Sequence, residues 1–229
     1  MLTGSRAVVP FADGARWILV LTATADEPAV LIVDTTVPTA EQLRIEPLET
    51  TALTERHIVH FDGAPATLVA CGDAEVSWLL TRKDLCLSAL HLGYAREALR
   101  LSGEYVNERH QFGRPIGSFQ AISQQIADCH IEIASIDVGL RSALSEVEHG
   151  DDPRAAVLAA RWLASDLGLT VCQRAVRFHG GYGVDLESRI HRHLVLSMEL
   201  SVTGGDPEQH LERLGDLIMS EERDHFEGN

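Results

Sequence analysis

The chain has 229 residues, of which 45% are hydrophobic, and it carries a formal net charge of -15 at pH 7. This composition is typical of a folded protein, and the length is enough for one large or two small domains. The acidic balance argues against a nucleic-acid-binding protein, because such proteins need a basic surface.

Residues 1 to about 70 predict β-strands. The apolar runs Ala15–Ala23 and Ala29–Thr35 are rich in aliphatic and β-branched residues, and the turn between them predicts a hairpin. This turn contains Thr24, Asp26, Glu27 and Pro28. Leu43–Leu48 and His57–Phe61 predict two shorter strands. We therefore expect residues 1–72 to form a small, mostly antiparallel β domain with little core of its own.

From Asp73 the hydrophobic period changes to that of a helix. Asp73 can cap a helix that runs to about Glu108. The apolar stripe predicted along this helix consists of Val76, Leu80, Leu87, Leu90 and Tyr94. Lys83 falls on the same stripe, where it is expected to extend its ammonium group to water or to face a carboxylate or phosphate of a partner.

Two further long helices are predicted. One runs from a Ser118 cap to about His149 and stops at Gly150, and the next runs from an Asp152 cap to Gly180. Pro153 suits the first position of the latter helix. The predicted apolar faces comprise Ile122, Ile126, Cys129, Ile133, Ile136, Leu140, Leu144 and Val147, and then Val157, Ala160, Ala164, Leu167, Val171, Ala175 and Phe178.

A shorter helix is predicted over Leu186–Leu200, and Asp206 with Pro207 opens a last one. Long antiparallel helices joined by short loops predict an up-and-down bundle over residues 73–229. The predicted fold class is therefore α+β, mainly α, with a small partial β domain followed by the helical bundle. A solvated acidic tail is expected at Glu221, Glu222, Asp224 and Glu227.

Cysteine usage and hydropathy predict the compartment. The four cysteines are far apart, form no CxxC pair and lie in or beside apolar stretches: Cys71, Cys86, Cys129 and Cys172. This pattern favours reduced core thiols over disulfides or a zinc site. No apolar run reaches the ~18 residues that span a membrane, and no signal-peptide pattern opens the chain. We expect a cytoplasmic protein with no membrane segment.

The loop Glu108–Gln120, ERHQFGRPIGSFQ, joins the first two long helices. Three helix-breaking residues interrupt it: Gly113, Pro115 and Gly117. Arg109 and Arg114 offer planar paired donors that suit a phosphate, and Gln111 and Gln120 add polar groups. From the residues alone, an anion site and a plain solvated connection between helices both remain open.

This loop resembles the flavin-contacting loop of the acyl-CoA dehydrogenase family, whose usual form is ER.QFG.PI..FQ. A second string of that family, HGGYG, occurs at His179–Gly183. The resemblance extends from about Leu2 to about Leu217. Family members have an N-terminal helical domain, a middle β domain and a C-terminal four-helix bundle. The resemblance implies a chain that begins inside the middle domain, as a natural short subunit or as a truncated form.

The resemblance also implies a role in binding FAD. In the family, the bundle of one subunit reaches the pyrophosphate and adenosine of an FAD whose ring is held by its neighbour. Arg109 would then pair with the pyrophosphate, Phe112 would pack against the cofactor, and Arg177 would stand where most relatives have Gln. The implied cofactor-binding residues are Arg109, Gln111, Phe112, Ile116, Gln120, Arg177, Gly180 and Gly181. The glycines would let FAD approach the backbone, although Gly180 and Gly181 also suit a plain helix stop.

The family's catalytic base is a glutamate at one of two positions. The first is matched here by Gly204, and the second by Lys83 with Asp84 beside it. A shift of a few residues in the alignment would bring Glu199 close to the first position. The resemblance therefore implies that the chain has no catalytic base. Asp206 and Glu208 stand where Thr and Gln usually contact the adenosine. The string EQHLERLG, which begins at Glu208, resembles the non-catalytic subunits of heterotetrameric members of the family.

A chain that keeps the cofactor-tail motifs and lacks the base resembles the non-catalytic subunits of actinobacterial heterotetrameric acyl-CoA dehydrogenases, including those that act on steroid side chains. The implied partner is a catalytic acyl-CoA dehydrogenase subunit, which would bind most of the acyl-CoA and the flavin ring. The alternative is a structural partner subunit that does not touch FAD.

Two other functions have weaker support. A metal-binding bundle would need His179, His191 and His193, but residues two apart on a helix point in different directions, and no Glu-x-x-His pair occurs. A serine nucleophile is not indicated either, because Thr3-Gly4-Ser5 lacks the flanking residues of a nucleophile elbow.

Overall fold

The computed structural model describes residues 1–23, 27–52 and 54–227, with side chains as far as residue 220. The chain divides into two compact units, Met1–Leu80 and Thr81–Asn229. Strands make up most of the first unit and long helices make up the second, so the predicted α+β class, mainly α, is confirmed. The change from strand to helix falls between Cys71 and Asp73. The division into domains at residue 72 stays a prediction.

Two three-stranded antiparallel sheets form most of the first unit. One has the order β1-β5-β4, with β1 at Leu2–Pro10, β4 at Leu43–Leu48 and β5 at Arg56–Ala64. The other has the order β2-β3-β6, with β2 at Trp17–Ala23, β3 at Pro28–Asp34 and β6 at Thr67–Cys71. Their inner faces share a core built largely from Ile18, Val20, Val33, Val59 and Phe61.

The predicted hairpin is confirmed, because β2 pairs with β3 from Trp17 opposite Asp34 to Ala23 opposite Pro28. Thr24 and Asp26 of the predicted turn lie outside the described residues. Apolar periodicity predicted neither β1 nor β6. In β1 seven of nine residues are exposed, and β6 has only five residues, so neither strand shows the alternation of a half-buried strand.

Five helices are found among the described residues: α1 (Asp73–Glu108), α2 (Gln120–His149), α3 (Arg154–His179), α4 (Arg189–Val202) and α5 (Pro207–Glu227). The stops of α2 at Gly150 and of α3 at Gly180 are as predicted. The predicted Ser118 cap is wrong, since Phe119 is the N-cap of α2 and the Ser118 hydroxyl donates to Pro115 O. Helix α4 begins three residues later than predicted, at Arg189.

The predicted apolar stripe of α1 is right for Val76, which is buried, and wrong for Leu90. Leu90 of that stripe is 48% exposed, and the side chains that enter the bundle core are Leu85, Leu92, Ala95, Leu99 and Val106. The reason is a second buried face made of polar residues, Asp84, Ser88, His91 and Ser102. A template that counts only apolar residues cannot recognise a helix that is buried on a polar side as well.

The predicted faces of α2 and α3 pack in the core, apart from the exposed Leu144. Helix α3 is buried on a second side too, through Arg161, Gly168 and Cys172. By length and composition alone, Arg154–Val184 is long and apolar enough to cross a membrane. The predicted apolar face of α3 packs in the bundle core and accounts for part of that apolar character.

The four cysteines are all free thiols. Cys129 and Cys172 are buried, as expected of core thiols, and burial raises the pKa of Cys172 to about 11. The prediction is wrong for Cys86, which is exposed on α1, because that residue lies outside both buried faces of its helix.

His91 is fully buried on α1, and its Nε2 lies 2.6 Å from Ser197 Oγ on α4. Gly168 makes room for the ring, since a Cβ there would lie 2.7 Å from His91 Cδ2. Burial, helped by the charge of Arg161, lowers the pKa of His91 to about 3. The folded protein therefore keeps this imidazole neutral at pH values where the unfolded chain protonates it.

This pKa predicts acid sensitivity. Between the unfolded value of about 6.5 and the folded value of about 3, the unfolded chain binds one more proton, so stability falls as pH falls. We expect His91 to contribute a loss of about 1.4 kcal/mol per pH unit below about pH 6. Urea unfolding at pH 7, 6 and 5 should show a steeper loss for the wild type than for His91→Gln. The exposed His110→Gln variant is the control, and equal slopes for all three proteins would contradict the prediction.

Candidate functional site

The loop after α1 is a tight β-hairpin. Strand β7 (His110–Gln111) pairs with β8 (Arg114–Pro115), and the two residues between them, Phe112 and Gly113, both have positive φ, at 53° and 79°. Two consecutive positive φ angles are typical of a type I′ turn. Phe112 therefore adopts a conformation that is uncommon for a bulky residue, and its side chain is 92% exposed at the tip of the turn.

The base of this hairpin holds Arg109 in place. Its N–H donates to Tyr105 O and its carbonyl accepts from Ile116 N, both at 2.8 Å. The Arg109 side chain is exposed and has no ion pair or hydrogen bond within the described residues. Arg114, by contrast, stacks its guanidinium 4.2 Å from the centre of the Phe119 ring. Of the two arginines of the loop, Arg109 is thus the one whose side chain has no partner within the described residues.

The other predicted residues of the loop lie around Arg109. Gln111 and Gln120 are exposed, and the Gln111 side chain donates to His110 O at 2.8 Å. Ile116 is half-buried and packs against the bundle core. It therefore supports the hairpin from beneath, and its predicted contact with FAD stays a prediction.

The second motif closes α3 and continues as a single 3-10 turn, Gly180–Val184. Gly180 has φ 60°, and Gly183 is buried so that a Cβ would lie 2.5 Å from Val176 O. The local fold therefore requires glycine at both positions. Gly181 is different, because a Cβ there would meet nothing within 4 Å. A plain helix stop explains Gly180 but leaves Gly181 unexplained.

The two motifs meet at one end of the bundle. The Tyr105 ring stacks on His179 with 4.3 Å between ring centres, and the Tyr105 hydroxyl donates to His179 O at 3.4 Å. His179 is buried, burial lowers its pKa, and its Nδ1 lies 2.8 Å from Ala175 O. Arg177 is exposed on the last turn of α3 and, within the described residues, has no ion pair.

This end of the bundle also exposes apolar side chains, namely Phe112, Tyr182, Val184 and Leu186. Exposed apolar side chains grouped beside unpaired cationic groups are typical of a contact with another molecule. The surface therefore suits an elongated ligand that has an anionic part and an aromatic part. Such a ligand would be bound between this chain and a second protein.

The two positions of the expected base are also brought together. Lys83 Nζ lies 2.9 Å from the site of a Cβ on Gly204. Gly204 has φ 80°, which favours glycine. Lys83 Nζ is 3.1 Å from Asp84 Oδ1, and the lysine side chain remains 38% exposed. Lys83 is therefore partly exposed, and its ammonium group pairs with Asp84 beside Gly204.

Arg161 holds the segment between α4 and α5. The sequence analysis did not predict this role. Its side chain is fully buried, and Nη2 donates to Leu200 O at 2.5 Å and to Thr203 O at 2.9 Å. Burial lowers the pKa of Arg161, while the Asp84 charge raises it. The signal that could have identified it is the single arginine within the alanine-rich stretch AAVLAARWLA.

Other contacts hold the same segment. Arg213 Nη1 donates to Gly204 O at 3.3 Å, and Asp206 Oδ1 accepts from Gln209 N at 2.9 Å, so Asp206 opens α5 as predicted. Glu199 is half-buried one turn earlier, where its carbonyl accepts from the Thr203 hydroxyl at 2.7 Å. Within the described residues no group of three or more His, Cys, Asp or Glu side chains is placed to hold a metal ion.

The chain belongs to the acyl-CoA dehydrogenase family. The family model described as "Acyl-CoA dehydrogenase, C-terminal domain" matches residues 74–219. Among curated relatives, acyl-CoA dehydrogenase FadE27 of Mycobacterium tuberculosis is 31% identical over 224 residues, which is 93% of this chain and 59% of FadE27. FadE28 of the same organism is 30% identical and covers 93% of this chain and 61% of FadE28.

Solved structures show the same relationship. A variant of the Tcur3481-Tcur3483 steroid ACAD is 38% identical, with a TM-score of 0.90 over 96% of this chain and 60% of that one. The ChsE4-ChsE5 complex from Mycobacterium tuberculosis is 30% identical, with a TM-score of 0.87 over 95% of this chain and 59% of that one. The resemblance to the family is confirmed, and the chain spans about 60% of the length of these relatives.

Proposed function

We propose that this chain is a subunit of a heteromeric FAD-dependent acyl-CoA dehydrogenase, which desaturates the α,β-bond of an acyl-CoA thioester. In this proposal it supplies contacts to the pyrophosphate and adenosine of FAD, and a catalytic partner subunit supplies the flavin-ring contacts, the base and most of the acyl-CoA site. The observation that carries the proposal is the meeting of the two motifs at one exposed end of the bundle, around Tyr105 and His179.

The residues at this end fit a dinucleotide. Arg109 and Arg177 are exposed cations with no ion pair in the described part of the chain, so they can bind phosphate oxygens. Phe112 presents a free aromatic face, and Gly181 leaves its backbone open to close approach. FAD would supply the acceptor for the hydride that leaves the β-carbon of the substrate. The residues of this chain would bind and orient the cofactor's other half.

The proposed absence of a base follows from the two candidate positions. Proton abstraction next to a thioester needs a carboxylate with a suitably placed oxygen. Gly204 offers no side chain, and Lys83 is a cation paired with Asp84. Asp84 itself is buried, and its Oδ1 lies 3.1 Å from the Lys83 ammonium, so we assign it to an ion pair with Lys83 and not to proton abstraction.

The names of the similar structures support a heteromer. One is called a steroid ACAD of two components, and another is called a complex of ChsE4 with ChsE5. We propose the same arrangement here, a cytoplasmic heterotetramer with a catalytic acyl-CoA dehydrogenase subunit. A steroid side chain is the proposed acyl group.

The test is FAD retention by the complex formed on co-expression with a catalytic acyl-CoA dehydrogenase subunit. Arg109→Ala removes a charge-assisted pair with phosphate, which is worth ~1.5–3 kcal/mol, so FAD should bind about 10- to 100-fold more weakly. Flavin absorbance per complex after gel filtration and dialysis measures the effect. Arg141→Ala is the matched control, because Arg141 is an exposed arginine paired only with Asp137 on its own helix.

Three results would decide between the hypotheses. A complex that loses FAD with Arg109→Ala and keeps it with Arg141→Ala supports the proposal. Unchanged FAD in both variants favours the structural partner that does not touch flavin. A homomer of this chain that binds FAD and oxidises acyl-CoA unaided contradicts both hypotheses.

A further inference from the structure

Three buried polar side chains from three helices surround the turn 203–205 between α4 and α5. They are Asp84 on α1, Arg161 on α3 and His210 on α5, and at most 6% of each residue is exposed. Arg161 donates to the carbonyl of the first residue of this turn at 2.9 Å. Asp84 Oδ1 lies 3.9 Å from the Cβ position of the second residue, and His210 Cε1 lies 3.2 Å from that of the third. We call Asp84, Arg161 and His210 the buried polar cluster.

Much of the hydrogen-bonding capacity of this cluster has no partner in the described part of the chain. A guanidinium has five N–H donors. Arg161 uses Nη2 for two carbonyls, while its Nε and Nη1 make no hydrogen bond. Asp84 Oδ1, which lies 3.1 Å from Lys83 Nζ, and both ring nitrogens of His210 make none either. Buried polar atoms nearly always have a hydrogen-bond partner, because an unpaired one destabilises the fold. These atoms therefore indicate a bound partner.

The members of the cluster interact through their charges, although no hydrogen bond among the described residues joins them. Burial lowers the pKa of Arg161, and the charge of Asp84 raises it. Burial, helped by the charge of Arg161, lowers the pKa of His210, and the charge of Asp84 opposes that shift. The imidazole is therefore neutral at pH 7 and has one N–H donor and one acceptor nitrogen. Polar groups that interact without direct contact are commonly bridged by water.

We propose that the buried polar cluster binds internal water that bridges Arg161, Asp84 and His210. Water fits these groups because it both accepts and donates hydrogen bonds. It would accept from the unpaired N–H groups of Arg161 and donate to Asp84 Oδ1 or to the acceptor nitrogen of His210. About three polar partners are typical of a buried water molecule.

An anion is a poorer match for this site. It could pair with the guanidinium of Arg161, but it would lie near the carboxylate of Asp84, which repels it. It would also leave Asp84 Oδ1 and the acceptor nitrogen of His210 without a donor. The mixture of donors and acceptors in the cluster therefore favours water.

The bridge would hold the turn 203–205 in an unusual conformation. Gly204 and Gly205 have φ angles of 80° and 133°, which favour glycine, and neither residue has a side chain that could hold the turn. Water bound to the cluster would join α1, α3 and α5 at this point. The site involves neither FAD nor a partner subunit, so its failure would leave the proposed function standing.

A crystal structure of the wild-type chain grown in a bromide salt is the direct test, because bromide gives an anomalous signal and water gives none. We expect a water oxygen within about 3.2 Å of Arg161 Nε or Nη1 and also of Asp84 Oδ1 or a ring nitrogen of His210. Bromide at this position would show that an anion fills the site. Direct hydrogen bonds among the three side chains, with no water between them, would show that the cluster needs none. Either result would overturn the proposal.

Urea unfolding of the complete chain tests the bridge in solution through a double-mutant cycle. Asp84→Leu and His210→Leu, each made alone, remove one partner of the water and leave the others unpaired. Each should therefore raise the unfolding equilibrium constant about tenfold or more. The double variant removes both partners at once, so its effect should be at least about threefold smaller than the product of the two single effects.

Ser102→Ala supplies the control cycle. Ser102 is also buried on α1, but its hydroxyl donates to Ala98 O on the same helix, far along α1 from Asp84. The effects of Asp84→Leu and Ser102→Ala should multiply to within about twofold. If the effects of Asp84→Leu and His210→Leu multiply equally well, the two residues share no water. The crystal structure decides the question where a variant does not fold, because it uses the wild-type chain.

Discussion

Replacing Arg161 with alanine is expected to lower the free energy of unfolding by about 3–5 kcal/mol, because it removes a buried charge from a hydrogen-bonded network. Arg161 is fully buried and donates to the carbonyls of Leu200 and Thr203. These carbonyls belong to the end of α4, where a helix has no partners of its own for its last C=O groups. The Asp84 charge would also lose a buried cation that interacts with it.

Chemical denaturation measured on the complete chain would test this expectation. Arg161→Lys keeps the charge but not the planar pair of donors, so it should lie between the wild type and Arg161→Ala. Arg141→Ala is the control, since its exposed pair with Asp137 within one helix is worth only ~0.3–0.5 kcal/mol. A loss below about 1 kcal/mol for Arg161→Ala would mean that the segment between α4 and α5 is held in another way.

The second and third glycines of HGGYG, Gly181 and Gly183, should respond differently to substitution. Gly183→Ala brings a methyl group to 2.5 Å from Val176 O, which is backbone and cannot turn aside, so we expect a loss of about 1–3 kcal/mol in stability. Gly181→Ala meets nothing within 4 Å, so its stability should change by no more than about 0.5 kcal/mol. In the complex with the catalytic subunit, however, Gly181→Ala should lower the FAD content, because the methyl group would block close approach of the cofactor.

This pair separates a folding requirement from a binding requirement within one short motif. Thermal unfolding of the isolated chain and flavin absorbance of the complex are the two measurements. If Gly181→Ala destabilises the isolated chain as strongly as Gly183→Ala, the motif serves the fold alone. If it leaves both stability and FAD content unchanged, FAD does not approach this turn closely.

Lys83 and Gly204 stand at the two positions where the family has its catalytic glutamate. Each was singled out by the resemblance at a different point of the chain, and in the folded protein they are neighbours, 2.9 Å apart from Nζ to the site of a Cβ. A glutamate introduced at residue 204 would lie beside the Lys83 ammonium, and an adjacent cation favours the charged, weakly basic form of a carboxylate. The two differences from the usual family pattern are thus linked by contact.

Sequence reasoning succeeded where structure is set locally. Helix α1 begins at the predicted Asp73, and the stops of α2 and α3 followed from Gly150 and Gly180, because a helix stop acts within one turn. The predicted caps Ser118 and Asp152 were wrong, since Phe119 and Pro153 are the N-caps of α2 and α3. Sequence reasoning also failed for the buried side of α1, where Ser88 and His91 are hidden among other helices. Whether a polar side chain is buried depends on its partners, and Ser197, the partner of His91, lies on a distant helix.

The order of residues alone determined the mixed α and β class, the helices and the two motifs that mark the family, since periodicity and short strings are properties of neighbouring residues. Only the folded chain decided that Tyr105 joins the motifs, that Lys83 faces Gly204 and that Arg161 secures the end of α4. These features arise from contacts between residues far apart in the sequence, and such contacts form only when close packing and hydrogen bonding select one arrangement of the elements.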